Sequence, residues 1–275
     1  MTTGVSMTAG VTPKPRPAGL LARAFGKLRR LALMTVLLCI WEYVSLRVLD
    51  STSRTLLPPP TLIFTAAWEL ISSGELFRHA RDSLKRELVA FVWASISIPI
   101  GIAMGWFRIV DEQLDAIMEM LRPIPPLAWI PLSILWFGIG DEQNQFIIFL
   151  GIFFPILLNT INGVKGIEPN LIRAARCLGA SEFQILWRIV VKAALPQIVT
   201  GIRIGLGVGW MALVAAELVG ANSGLGFLIN DARTVLRTDY IIVGMASIGF
   251  IGLLLDQIIR QLGRRLLPWS RGMDR

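Results

Sequence analysis

Histidine is all but missing from this chain: one residue, His79, stands among 275. A lone histidine cannot anchor a metal site of the usual histidine-rich kind. Cysteine is nearly as rare. Cys39 falls in a long apolar run and Cys177 in a polar insert, so no disulfide is expected between them. None of the five lysines follows the glycines of a Gly-x-x-x-x-Gly-Lys-Ser/Thr phosphate loop. Nucleotide hydrolysis by that route is excluded, and no catalytic residue, metal or cofactor is assigned to the chain. Charge is scarce too. Asp, Glu, Lys and Arg make up 17 % of the residues, against about a quarter in a soluble domain.

What fills the chain instead is apolar: 54 % of the residues, gathered in long blocks without helical or strand alternation. Blocks of roughly 20 apolar residues match the hydrocarbon thickness of a bilayer. The sequence predicts an all-α integral membrane protein with about six spans: Leu31–Leu49, Leu88–Phe107, Ile124–Ile139, Phe146–Ile161, Gly201–Gly220 and Tyr240–Ile259. Pro125, Pro126 and Pro131 should kink the third near its start. The stretch Asp141-Glu142-Gln143-Asn144 reads as a short acidic turn. Residues 1–19, rich in Thr, Gly and Pro, read as a disordered tail. The first span starts too late and runs too long for a signal peptide, and is read as an anchor.

Orientation follows from Lys and Arg. With the N-terminus inside, the inner segments carry the larger share, including Lys27, Arg29, Arg30, Lys165, Arg173, Arg176, Arg188, Arg260, Arg264 and Arg265. The outer cluster Arg78–Arg86 alternates with Asp82 and Glu87 and is read as a salt-paired interfacial helix start. The net charge of +8 needs no nucleic acid: basic residues beside an anionic leaflet gain about 1 kcal/mol each.

Between the fourth and fifth spans lies a polar, arginine-rich insert that an ordinary loop would not contain. Pro169 suits the first turn of a helix. Gly179 suits the left-handed residue that ends it. Ser181 and Gln184 form a capping box that starts a second helix toward Trp187. The insert predicts a two-helix platform outside the bilayer, a docking surface. In the fifth span Gly201, Gly205 and Gly209 repeat every four residues, with Gly207 between them. Such a face allows close helix approach, by packing, by self-association or along a pore. Gly101 and Gly105 read as packing within the chain.

The platform Arg173-Ala-Ala-Arg-Cys-Leu-Gly179, with Ile189 and Leu195-Pro196, resembles the Glu-Ala-Ala loop of permease subunits in bacterial ATP-binding-cassette importers. Residues 122–132, 136–140, 201–210 and 214–227 are similar to one branch, which imports taurine, aliphatic sulfonates, nitrate or bicarbonate. The resemblance runs from about residue 80 to 268. It implies a type I importer permease, here with a cytoplasmic tail at 1–30, an anchor at 31–49, a transmembrane domain at 80–268 and the platform at 165–197. It also implies two ATPase subunits carrying ATP, a periplasmic or extracellular solute-binding protein that does most of the selecting, and a second copy of the chain. Both termini would be cytoplasmic and the protein would sit in the inner membrane among its lipids. Coupling to the ATPase falls to Arg173, Ala174, Ala175, Arg176, Gly179, Ala180, Ser181 and Glu182. The sequence departs from the pattern where Arg173 replaces the usual glutamate and Val191-Lys192 the usual Leu-Pro. An inverted charge there bears on partner choice.

Acidic residues inside spans are functional candidates by default. A carboxylate on the path would repel an anion, so Glu217 is read as a structural acceptor, with Arg233 or Arg237 as its partner. Asp256 stands one turn from Arg260 and pairs with it. Trp210, Asn222 and Ser223 are the neutral donors placed for cargo contact; against this, Trp210 reads as a packing aromatic and Asn222-Ser223-Gly224 as a turn. Two other classes stay open: an ATPase-independent channel or secondary transporter, and a membrane scaffold.

Overall fold

A computed structural model describes residues 20–266, and the chain divides into two compact units, Met1–Thr61 and Leu62–Arg275. In the first, helix α1 (Leu20–Tyr43) runs on through a π turn, Val44–Val48. The expected tail at 1–30 is thus helical from Leu20, and its first 19 residues lie outside the described ones. The π turn ends the helix, so the carbonyls of Ser45 and Leu46 lie in its last turn. Arg54, on the short helix α2 (Ser51–Leu56), folds back to donate to both, at 3.1 and 2.6 Å. Asp50 caps α2 by accepting from the Ser53 amide. Hydrogen bonding from Ser53, by its side chain first and then by its amide, lowers the Asp50 carboxyl pKa from its ordinary value. Glu42 accepts from both the amide and the hydroxyl of Thr61, where α3 (Pro60–Ser72) begins. Leu33, Met34, Val36, Leu37 and Ile40 are all exposed, but the expected first span, Leu31–Leu49, is not among the described helices long and apolar enough to cross a membrane.

In the second unit α4 (Glu75–Ala94) and α5 (Ser97–Trp106) form one long apolar stretch, Glu75–Trp106. Pro99 explains the local break: it brings no amide to the ladder, so α5 restarts just before it. Next come α6 (Arg108–Leu121), a 3₁₀ turn at Pro126–Trp129 and α7 (Ile130–Phe137). These are followed by α8 (Asp141–Lys165), α9 (Pro169–Cys177), α10 (Glu182–Ile185) and a π turn at Leu186–Val190. The described residues close with α11 (Val191–Gly220), α12 (Leu225–Thr234) and α13 (Thr238–Leu266).

Among the described residues four stretches are long and apolar enough to cross a membrane: Glu75–Trp106, Asp141–Lys165, Glu182–Gly220 and Thr238–Arg265. The third expected span is corrected. Residues 124–139 do not cross by themselves: Arg108–Leu121 and Pro126–Phe137 are long and apolar enough only as a pair bent by 81°, a broken span or a re-entrant loop that would bring the stretches to five. Eight residues of α7 reach only about 12 Å, less than half a bilayer core. The prolines do more than kink this segment; they turn it. The fifth span is longer than expected, since the platform's second helix continues through the π turn into α11. The acidic stretch 141–144 is no turn either. It is the first turn of α8, with Gln143 and Asn144 fully buried.

Helix α8 is the centre of the unit. Ile147, Ile148, Ile152, Ile156 and Leu157 are fully buried along it. Lipid is as apolar as these side chains, so close van der Waals contact holds the bundle more than water exclusion does. The glycines let the backbones approach. A Cβ on Gly201 would come within 2.8 Å of Asn159, one on Gly205 within 2.9 Å of the Ile152 carbonyl, and one on Gly209 within 2.5 Å of Ile152. Gly101 and Gly105 meet Thr160 and Val164 of α8 in the same way. Of the four glycines in α11's first run, only Gly207 faces open space.

Candidate functional site

The platform follows directly from its residues. Pro169 opens α9 at its first position. Gly179 adopts φ +80° and donates to the Arg176 carbonyl, while Ala180 donates to that of Ala175. This Schellman pair satisfies two of the orphan carbonyls at the helix end. Ser181 then starts α10: its hydroxyl accepts from the Gln184 amide at 3.3 Å, and its own amide donates to the Gln184 side chain at 3.0 Å. The two helices are pinned by a fork-on-fork pair, Arg176 Nε and Nη2 to Glu182 Oε1 and Oε2, at 2.8 and 3.1 Å. The hydrogen bonds and charge of Glu182 raise the Arg176 pKa.

The inner side of the platform is apolar and closed. Ala175, Ile185, Val190, Val164, Ala194 and Ile198 form one buried cluster, with Trp106 and Ile102 of α5 packed against it. Ala175 is small enough to let α9 lie on α10 and α11. The outer side is open. Arg173 donates to Asn170, which itself donates to Glu168, and Ala174 is exposed beside them. Three apolar residues there are exposed and escaped sequence reasoning: Leu178 (88 %), Phe183 (71 %) and Trp187 (56 %). Phe183 and Trp187 stand four apart with ring centroids at 6.2 Å. That spacing was the available signal, since an aromatic pair one turn apart forms one helix face.

At the opposite end of the bundle lies a buried ionic cluster. Arg86 of α4 donates from Nε to Asp141 Oδ1 at 2.7 Å and from Nη1 to Glu217 Oε1 at 2.7 Å. It also reaches the Ser223 carbonyl and hydroxyl, at 2.7 and 2.9 Å. Glu217 accepts further bonds from the Ser83 hydroxyl and the Gly226 amide, each within 3.0 Å. The Leu225 amide donates to Ser83 and the Gly224 amide to His79 Nδ1. The first amides of α12, which have no helical acceptors, are therefore satisfied by side chains of α4 and α11. Only glycine fits: a Cβ on Gly226 would fall 2.6 Å from the Val214 carbonyl.

Glu217 is thus a structural acceptor, but its expected partners are corrected to Arg86. Arg233 donates to Asn230, and Arg237 pairs with Asp239 at 2.9 Å and Glu69 at 3.4 Å. Asp239 pushes the Arg237 pKa further up, and its guanidinium lies over the Tyr240 ring. The salt-paired helix start expected at Arg78–Arg86 is also corrected. Arg81 and Asp82 pair at 3.4 Å, but Arg86 and Glu87 turn inward. Neither carboxyl oxygen of Glu87 has a hydrogen-bond partner among the described residues. The signal lay in the face His79, Ser83, Arg86, Ala90, Ala94, which recurs at helical spacing.

Trp210 is buried on α11 and spends its only donor on the Ile248 carbonyl at 3.2 Å. Ser223 belongs to the ionic cluster, and Asn222 is exposed on the turn between α11 and α12. Asp256 pairs with Arg260 as expected, and also with Arg203 of α11.

The family described as binding-protein-dependent transport system inner membrane component matches residues 97–270. The taurine transport system permease protein TauC of Escherichia coli (strain K12) is 44 % identical over 86 % of this chain and 87 % of its own length. The putative aliphatic sulfonates transport permease protein SsuC of Bacillus subtilis (strain 168) is 39 % identical, over 92 % and 91 %. A solved structure of the MetNI methionine ABC transporter in an inward-facing conformation shares the fold, with a TM-score of 0.60 and 22 % identity. It covers 72 % of this chain and 96 % of that one. A multi-pass helical bundle, a two-helix platform at one end and these relatives lead to one assignment: the chain belongs to the binding-protein-dependent inner membrane components, the permease subunits of ATP-binding-cassette importers.

Proposed function

We propose that this permease imports a small sulfonate, taurine or a related alkanesulfonate, by ATP-driven alternating access. The observation that carries the reading is the 44 % identity to a taurine permease over nearly the whole length of both chains. The platform at 165–197 faces the cytoplasm and seats an ATPase subunit on its exposed side, through Arg173, Ala174, Leu178, Phe183 and Trp187. ATP binds and is hydrolysed on that partner, and this chain holds no cofactor. A second copy completes the path, so two ATPases dock inside and a solute-binding protein delivers cargo outside. Residues 31–49 anchor the chain, 80–268 form the transmembrane domain, and both termini lie in the cytoplasm.

Closure of the ATPases moves the platform as a rigid body. Its buried face is continuous with α5 and α11, so the motion passes to the long helices. The ionic cluster holds α4, α8, α11 and α12 together at the other end, against which the inner end swings. Uptake of labelled taurine under sulfur starvation tests the assignment. Deletion should abolish uptake and the wild-type chain restore it. Unchanged taurine uptake, with loss of nitrate uptake instead, would replace the cargo while keeping the permease.

A further inference from the structure

At the platform end a cavity of about 820 Å³ opens between α8, α9, α11 and α13. Gln197, Thr200 and Arg203 of α11 line it, with Arg260 and Arg264 of α13 and Leu171 of the platform. Two of these guanidiniums already converge on an oxyanion. Arg203 Nε donates to Asp256 Oδ1 at 2.6 Å, and Arg260 Nη2 donates to Asp256 Oδ2 at 2.7 Å. All three side chains are a third to a half exposed, so water screens the pairs and exchange of one oxyanion for another costs little. Guanidinium forks match sulfonate, sulfate and phosphate oxygens as well as they match a carboxylate. The cavity beside them falls within the size range of small-molecule pockets.

We propose that this cavity is an oxyanion site in which Arg203 and Arg260 bind a sulfonate, sulfate or phosphate group that displaces the Asp256 carboxylate. The binding chemistry stands on these residues alone; its side of the membrane and its consequence rest on the importer reading above. There the site opens to the cytoplasm and joins α11, α13 and α9. An anion bound across them favours one arrangement of the platform, so accumulated product slows the ATPase, and by linkage the ATPase state alters anion affinity.

The test uses the full chain with its ATPase in neutral-lipid discs and measures binding of radiolabelled sulfate. Arg203→Gln and Arg260→Gln should each weaken binding about tenfold or more, while Arg81→Gln at the far end leaves it unchanged. Asp256→Asn should tighten binding, a gain that misfolding cannot mimic. In discs of anionic phosphatidylglycerol, unchanged affinity assigns the site to soluble anions, and a marked loss assigns it to lipid phosphate. Absent binding, binding indifferent to both arginine changes, or weaker binding in Asp256→Asn overturns the site. None of these results depends on taurine uptake, so a wrong cargo would show separately.

Discussion

Two neighbouring residues on α4 occupy opposite electrostatic situations. Arg86 is buried with two carboxylates, a carbonyl and a hydroxyl around it, whereas Glu87 is buried with both oxygens unpartnered. Removing the Glu217 carboxylate leaves the buried guanidinium with Asp141 alone, and each hydrogen bond to a charged group that is lost costs about 1.5–3 kcal/mol. Glu217→Gln should therefore lower thermal stability in detergent sharply. Glu87→Gln strands nothing and should stay within about 1 kcal/mol of the wild type. Equal melting of the two variants would show that the cluster does not hold the outer end. Sequence reasoning found Glu217 as an acceptor but missed Arg86, because its donor lies 131 positions away.

At the scale of elements, the contact between α8 and α11 depends on which glycines face inward. Gly209→Val drives a side chain into Ile152 and Glu87, an overpacking that costs about 1–3 kcal/mol. Gly207→Ala meets nothing within 4 Å and should melt with the wild type. On the platform Gly179→Val has room for its side chain but the wrong backbone. At φ +80° an L side chain costs about 1–2 kcal/mol, and the angle between α9 and α10 changes. Cargo-stimulated ATPase should fall while membrane insertion is intact. Undiminished transport in that variant would remove the platform's coupling role. The turn chemistry of the platform was legible in the sequence because caps are local: Pro169, Gly179, Ser181 and Gln184 act within a few residues of each other. The 81° bend after α6 was only partly legible, since prolines mark a break and not its angle.

For the whole molecule the two cysteines serve as reporters. Both are exposed, Cys177 on the platform and Cys39 on the apolar face of α1. A membrane-impermeant maleimide should label Cys177 in inside-out vesicles and leave it unlabelled in right-side-out ones. The reverse pattern would invert the orientation drawn from Lys and Arg. The sequence by itself determined that the protein is helical, that it lives in a membrane, and that it carries a platform between two spans. Those properties rest on composition, on block length against bilayer thickness and on local capping, all of which act along the chain. Only the tertiary structure decided that Arg86 binds Glu217 and that Gly201, Gly205 and Gly209 of α11 face α8. It alone brought Arg203 and Arg260 to one carboxylate. These depend on which faces meet across distant helices, and helical periodicity names the residues on a face without naming the face opposite.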